Sequence, residues 1–189
     1  MKRAIIIKGP SGIGKSSVSS LICKKHNYKH CDADEFKWLF SHERSKKRTE
    51  IGEFISYVYT KELIKRGYNI VIEAIPGGYI KKLTPLLEKH NYKVIRIVLQ
   101  APLEQCIKNN SQRKRKGYDE QVIREVYDKL SSSKGDKIDA TGKSVQQIYN
   151  IIRKKYFWAL DLLIITSGLK KVLEENLGKT CKVFLFNPC

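Results

Sequence analysis

The run Gly9-Pro10-Ser11-Gly12-Ile13-Gly14-Lys15-Ser16-Ser17 brings glycines, a lysine and hydroxyls together at the spacing G-x-x-x-x-G-K-[ST]. A glycine-rich turn of this kind lets backbone N–H groups converge on phosphate oxygens. Glycine is needed where the chain takes positive φ or comes too close to the ligand for a Cβ. Lys15 would reach the terminal phosphates and the Ser16 hydroxyl would hold Mg²⁺, so the spacing predicts ATP with magnesium as the ligand of residues 9–17. A dinucleotide fingerprint is excluded, because it needs G-x-G-x-x-G and these glycines fall as G-x-x-G-x-G.

Phosphoryl transfer needs a cradle, a metal, cations at the transferring group and something to orient the attacking hydroxyl. Asp34 is the candidate general base, with Asp32 or Glu35 as fallback; its competing role is to cap the helix around Phe36. Glu73 follows an apolar run at a position suited to hold Mg²⁺ through water, and an alternative role is to activate water for hydrolysis. Arg113 and Arg115 lie in a polar stretch that could close over phosphates as a lid of about residues 111–118. A second basic patch, Arg44 to Arg48, would suit a phosphorylated or polyanionic acceptor, or be a solvated loop. Two activities stay open from the residues: transfer from ATP to a hydroxyl acceptor, and nucleotide hydrolysis or switching without one.

These groups must be held by elements, and the hydrophobic pattern supplies them. Ala4-Ile5-Ile6-Ile7 reads as a buried strand feeding the loop, and Val18, Leu21 and Ile22 recur at helical spacing behind it. Further strands are expected at Tyr28–Ala33, Asn69–Ala74, Lys93–Leu99 and Lys137–Asp139. Phe36–Phe40 reads as an aromatic turn. Helices are expected over Glu50–Arg66, Tyr79–His90 with a break at Pro85, Pro102–Asn110, Asp119–Leu130 and Val145–Lys155. Alternating strands and helices predict an α/β, three-layer sandwich with a five-stranded parallel sheet. A kinase-like domain would span residues 1–155. Residues 156–189 lose the alternation and read as an apolar extension packing on that domain.

With 189 residues the chain fits one such domain with an appendage. The net charge of +18 points toward polyanionic partners. Only 9 of the 37 basic residues are arginine, the better residue for planar phosphate recognition, so a nucleic acid is a possible partner but not the favoured one. Five cysteines without C-x-x-C spacing fit free thiols in a reducing, cytoplasmic setting, and no apolar run is long enough to span a membrane.

Several segments together resemble the small P-loop kinases, particularly the polynucleotide-kinase and zeta-toxin-like group with its relatives among gluconate and antibiotic phosphotransferases. They are Gly9 to Ser16, Asp34-Glu35-Phe36-Lys37, Val98 to Glu104 leading into Arg113-Lys114-Arg115, and Ile138-Asp139-Ala140-Thr141. The resemblance implies strand order 2-3-1-4-5, ATP with Mg²⁺, Asp34 as base and Arg113 or Arg115 as lid arginine. Lys37 stands where polynucleotide kinases tend to carry arginine, which weakens the case for a nucleic-acid end as acceptor. Glu73-Ala74-Ile75-Pro76-Gly77 lacks the arginine of the adenylate-kinase pattern, which argues against a nucleoside monophosphate.

Overall fold

Ala4, Ile5, Ile6 and Ile7 offer no polar side chain to either face, and all four are buried at the centre of the sheet, in strand β1 (Arg3–Lys8). The structure, a computed structural model, describes residues 1–74, 79–113 and 117–157. Around β1 lie β2 (Lys29–Asp32), β3 (Ile70–Ala74), β4 (Lys93–Gln100) and β5 (Asp136–Asp139), all parallel, in the order β2-β3-β1-β4-β5. This is the expected order. Parallel neighbours require crossover connections, and these are the helices α1 (Lys15–His26), α2 (Ala33–Phe40), α3 (Lys46–Lys65), α4 (Ile80–Lys89), α5 (Leu103–Ser111) and α6 (Glu120–Ser131); α7 (Val145–Tyr156) follows β5. On one sheet face Ala4, Ile6, Ile70 and Ile72 pack with Cys31, with Ile64 of α3 and with Leu83 and Leu87 of α4. Each fully buried Ile or Leu there contributes about 1.5–3 kcal/mol relative to exposure.

The sequence reading differs from the structure at three places. Phe36–Phe40 is the end of helix α2 rather than an aromatic turn, because the Asp32 carboxylate accepts from Asp34 N–H at 2.9 Å and starts the helix at Ala33. Helix α3 begins at Lys46, four residues before the expected start, because the Ser45 hydroxyl accepts from Arg48 N–H at 3.1 Å. Much of the basic patch is therefore the first turn of a helix. Pro85 lies inside α4 without breaking it. It sits on the exposed side, where the Lys81 carbonyl that loses its usual donor can bond to water.

The chain forms two compact units, Met1–Tyr149 and Asn150–Cys189. In the second, the described residues are the helical turns to Tyr156 and then Phe157, whose N–H donates to Arg153 O at 2.9 Å. The remainder of the expected extension lies outside the described residues.

Candidate functional site

Open parallel sheets bind ligands beyond the carboxyl ends of their strands. Here the loop from Gly9 leaves β1, Asp32 ends β2 and Glu73 lies near the end of β3. A cleft of about 550 Å³ opens at these ends, and Gly9, Ser11, Lys15, Ser16, Asp34 and Glu73 all line it. So do Asp32 and Arg113.

The loop has the backbone that its glycines permit. Gly12 and Gly14 take φ of +81° and +92°, which residues with side chains rarely adopt. A Cβ on Gly12 would also collide with the Cys106 carbonyl oxygen and lie 3.0 Å from Asn110 N, so α5 packs directly against the loop. Asn109 Nδ2 donates to Gly12 O at 3.0 Å from the same helix. Helix α1 starts immediately after Gly14, aiming its positive end at the cleft. Lys15 Nζ donates to the carbonyl oxygens of Gly9 and Pro10, both at 3.0 Å. Burial lowers the Lys15 pKa, while the nearby carboxylates of Glu73, Asp34 and Asp32 oppose that shift.

Three acids face this lysine, and the sheet register explains two of them. Asp32 pairs with Glu73 across β2 and β3, so two carboxylates stand side by side. Glu73 is 6 % exposed, accepts from Ser16 Oγ at Oε2 (2.9 Å) and has His30 Nε2 at 2.6 Å from Oε1. Burial works to lower the His30 pKa, but the hydrogen bond and charge of Glu73 outweigh it and raise the pKa. Asp32 is pushed up to about 6, first by burial and then by Glu73. Asp34 behaves oppositely. Burial would raise it, but Lys37, a Tyr118 hydrogen bond and Lys15 together hold it below the ordinary carboxylate value.

Asp34 is held at both oxygens. Lys37 Nζ donates to Oδ1 at 3.2 Å and the Tyr118 hydroxyl donates to Oδ2 at 3.0 Å. Its neighbour Asp32 makes the helix cap, which leaves the Asp34 side chain available to the cleft. Lys37 is buried because α2 crosses α3 at Gly52, where a Cβ would collide with Lys37 Cγ and lie 3.0 Å from its backbone nitrogen. Arg48, 6 % exposed, braces the same crossing. Its Nε donates to Lys37 O at 3.0 Å and its guanidinium stacks 4.4 Å from the Trp38 ring centroid.

Arg113 Nη1 donates to Ser11 Oγ at 3.1 Å, which brings this lid candidate to the loop; Arg115 lies outside the described residues. The structure also brings Asn110, Tyr118 and Tyr79 to the site, which the sequence reading did not single out as functional, and gives Arg44 of the basic patch a partner there. Asn110, 5 % exposed, accepts from Ser11 Oγ at 2.9 Å and from Tyr118 N–H at 3.1 Å, and its Nδ2 donates to Tyr118 O at 2.8 Å. Arg44 stacks on the Tyr118 ring at 4.1 Å and donates to Gly117 O at 2.8 Å. Tyr79 lines the cleft at 6 % exposure, its hydroxyl without a hydrogen-bond partner among the described residues. No local spacing signals Asn110 or Tyr118, since the site partners that place them, Ser11 and Asp34, lie 99 and 84 residues away.

The donor set near the loop consists of the Ser16 hydroxyl and the Glu73 carboxylate, hard oxygens that fit Mg²⁺. Among the described residues, no cluster of three or more His, Cys, Asp or Glu side chains is placed to hold a metal ion. No helix of the described residues is long and apolar enough to cross a membrane.

The tunicamycin resistance protein of Deinococcus radiodurans shares this fold at a TM-score of 0.60 and 15% identity, over 83% of this chain and 96% of that one. The shikimate kinase of Bacteroides thetaiotaomicron matches at 0.56 and 13% identity, over 80% and 97%. The gluconokinase of Sinorhizobium meliloti matches at 0.54 and 14%, over 78% and 87%. No curated protein matches the sequence. The family described as "AAA domain" matches residues 5–134, which include the loop, all three acids, Lys37 and Tyr118. With most of its length inside that match and its strands in the order 2-3-1-4-5, the chain belongs to the AAA-domain family and has the fold of the small P-loop kinases.

Proposed function

We propose that the protein is an ATP-dependent phosphotransferase that moves the γ-phosphoryl group of ATP to a hydroxyl of a small-molecule acceptor. One observation carries this reading. An ionised, doubly held carboxylate, Asp34, shares a cleft with a phosphate-binding loop, and it is not used to cap its own helix.

Backbone N–H groups of residues 9–17 bind the phosphates, and Lys15 exchanges its two carbonyl partners for phosphate oxygens. Ser16 and Glu73 would hold Mg²⁺, which when bound neutralises charge on the phosphates. Asp34 accepts the proton of the acceptor hydroxyl as its oxygen bonds to the γ-phosphorus. The bond to the bridging oxygen breaks and ADP leaves with the electron pair. Arg113, already at Ser11, and Arg115 are the cations proposed for the moving phosphoryl group. Lys46 and Arg48 line the cleft beyond Lys37, a wall suited to an acceptor carrying an anionic group.

The engagement of both Glu73 oxygens, by Ser16 and by His30, supports a metal-holding role over activation of water. Relatives of the same fold whose names identify them as shikimate kinase and gluconokinase support a hydroxyl acceptor. The test is a panel of hydroxyl compounds with γ-labelled ATP. Lys15→Ala should abolish both ATP binding and transfer. Asp34→Ala should keep ATP affinity and lower transfer by about 10²–10⁴-fold, the usual worth of a positioned base. Retention of most of the transfer rate by Asp34→Ala refutes the assignment of the base.

A further inference from the structure

Tyr118 is held in the cleft by three separate sets of contacts. Its backbone is clamped at both N–H and C=O by the buried Asn110 side chain. Its ring lies against the Arg44 guanidinium, which is itself anchored on Gly117 O. Its hydroxyl donates to Asp34 Oδ2 at 3.0 Å. The other oxygen of Asp34 faces the Lys37 ammonium. Oδ2 is therefore the oxygen left to take a proton from an incoming hydroxyl, and a hydroxyl of the protein's own occupies it.

We propose that the Tyr118 phenol stands in for the acceptor hydroxyl on Asp34, keeping water off Oδ2 until an acceptor displaces it, so that Tyr118 sets the preference for transfer over hydrolysis. This rests on the reading of Asp34 as general base. The cost of leaving Oδ2 open follows from the chemistry. A water molecule bonded there would lose its proton to Asp34 as its oxygen attacks the γ-phosphorus. The bridging P–O bond would break, and ATP would yield ADP and phosphate with no acceptor modified. A phenol avoids this outcome. Burial and the Asp34 charge push Tyr118 up to about 12, so it remains a protonated donor and a poor nucleophile. The ring is too firmly placed to follow the γ-phosphoryl group, whereas a diffusing acceptor can approach along the line of attack. Tyr118 is thus a positioning residue acting through Asp34.

The experiment compares wild type, Tyr118→Phe and Tyr118→Phe/Asp34→Asn as full chains with Mg-ATP and no acceptor, following phosphate release. Tyr118→Phe keeps the ring and its stacking but removes the donor. Release should rise about ten- to a hundredfold, the effect of a single hydrogen bond to a charged group. The double variant should return to the wild-type rate or below. Affinity for a fluorescent ATP analogue should stay within about twofold of wild type in each, since no phosphate-binding group changes. A prop with only a packing role would lower activity, so the sign of the change separates the two. Arg44→Ala, at an exposed position, loosens the same ring without a core change and should raise release in the same direction. Unchanged or lower release by Tyr118→Phe and by Arg44→Ala, or a rise that persists without Asp34, overturns the proposal. Failure of the wild type to bind the ATP analogue overturns the functional reading beneath it, and is visible in the binding arm alone.

Discussion

Replacing Asp32 with Asn should make the protein more stable at neutral pH, although it removes a charged residue from the candidate site. Asp32 sits beside Glu73 across two strands, and burial together with that neighbour raises its carboxyl from 3.8 to about 6. The folded protein thus holds this proton more tightly than the unfolded chain. Stability from this group is greatest below about pH 4, falls as pH rises toward about 6 and stays low above it. At ~1.4 kcal/mol for each tenfold change in acidity, that difference costs up to about 3 kcal/mol at pH 7. Asn retains the oxygen that accepts from Asp34 N–H and is as good a cap as Asp. The expected gain is about 1–3 kcal/mol near pH 8, or several degrees in melting temperature, shrinking toward zero near pH 4. Urea denaturation of both proteins across that pH range measures it. A variant no more stable than wild type near pH 8, or a gain of equal size near pH 4, refutes the reasoning. Magnesium with ATP should stabilise wild type more than the variant, since added positive charge relieves the repulsion that Asn has already removed.

Gly52→Ala introduces a methyl group into the crossing of α2 and α3, against Lys37 Cγ and backbone. Overpacking of about 1–3 kcal/mol should outweigh the roughly 1 kcal/mol of helix propensity gained. The urea midpoint should fall while ATP-analogue affinity holds; a rise in the midpoint would count against the close crossing. Lys37→Met fills the same space without charge and removes the main influence that keeps Asp34 acidic. The Asp34 carboxyl should then protonate at higher pH, and the acidic limb of the activity profile should move upward. The stability that Asp34 contributes above its unfolded pKa, and loses as pH falls through its depressed folded value, should shrink in the same variant. An acidic limb that stays in place would detach Lys37 from Asp34.

What the sequence makes legible here is what neighbouring residues determine. The loop from Gly9 to Ser17 carries its own backbone requirements, and the isoleucines of β1 carry their burial, so the loop's conformation and the central strand can be read directly. Asp34 is legible as a candidate but not as a carboxylate left out of helix capping. Choosing between cap and base depends on where β2 stops, and it stops at Asp32, whose side chain takes the capping role. The basic patch misleads because a charge run looks solvated, while Arg48 is drawn inside by the Trp38 ring and a backbone carbonyl. Lys37 is buried by Gly52, a tertiary contact that no periodicity encodes. Tyr118 and Asp34 are 84 residues apart, and Ser11 and Asn110 are 99 apart, so those bonds exist only once the sheet has been assembled.

The Asn110 side chain has a thermodynamic consequence for the order in which ligands act. One amide bonds at once to Ser11 in the glycine-rich loop proposed to hold the nucleotide and to both backbone groups of Tyr118. If a nucleotide repositions Ser11, the shift is felt where an acceptor must displace the phenol. By linkage, an acceptor that moves Tyr118 must alter nucleotide affinity by the same factor. The two half-sites are then a single reciprocal system joined through one carboxamide. Non-additive binding of the two ligands, abolished by Asn110→Ala, would be its signature.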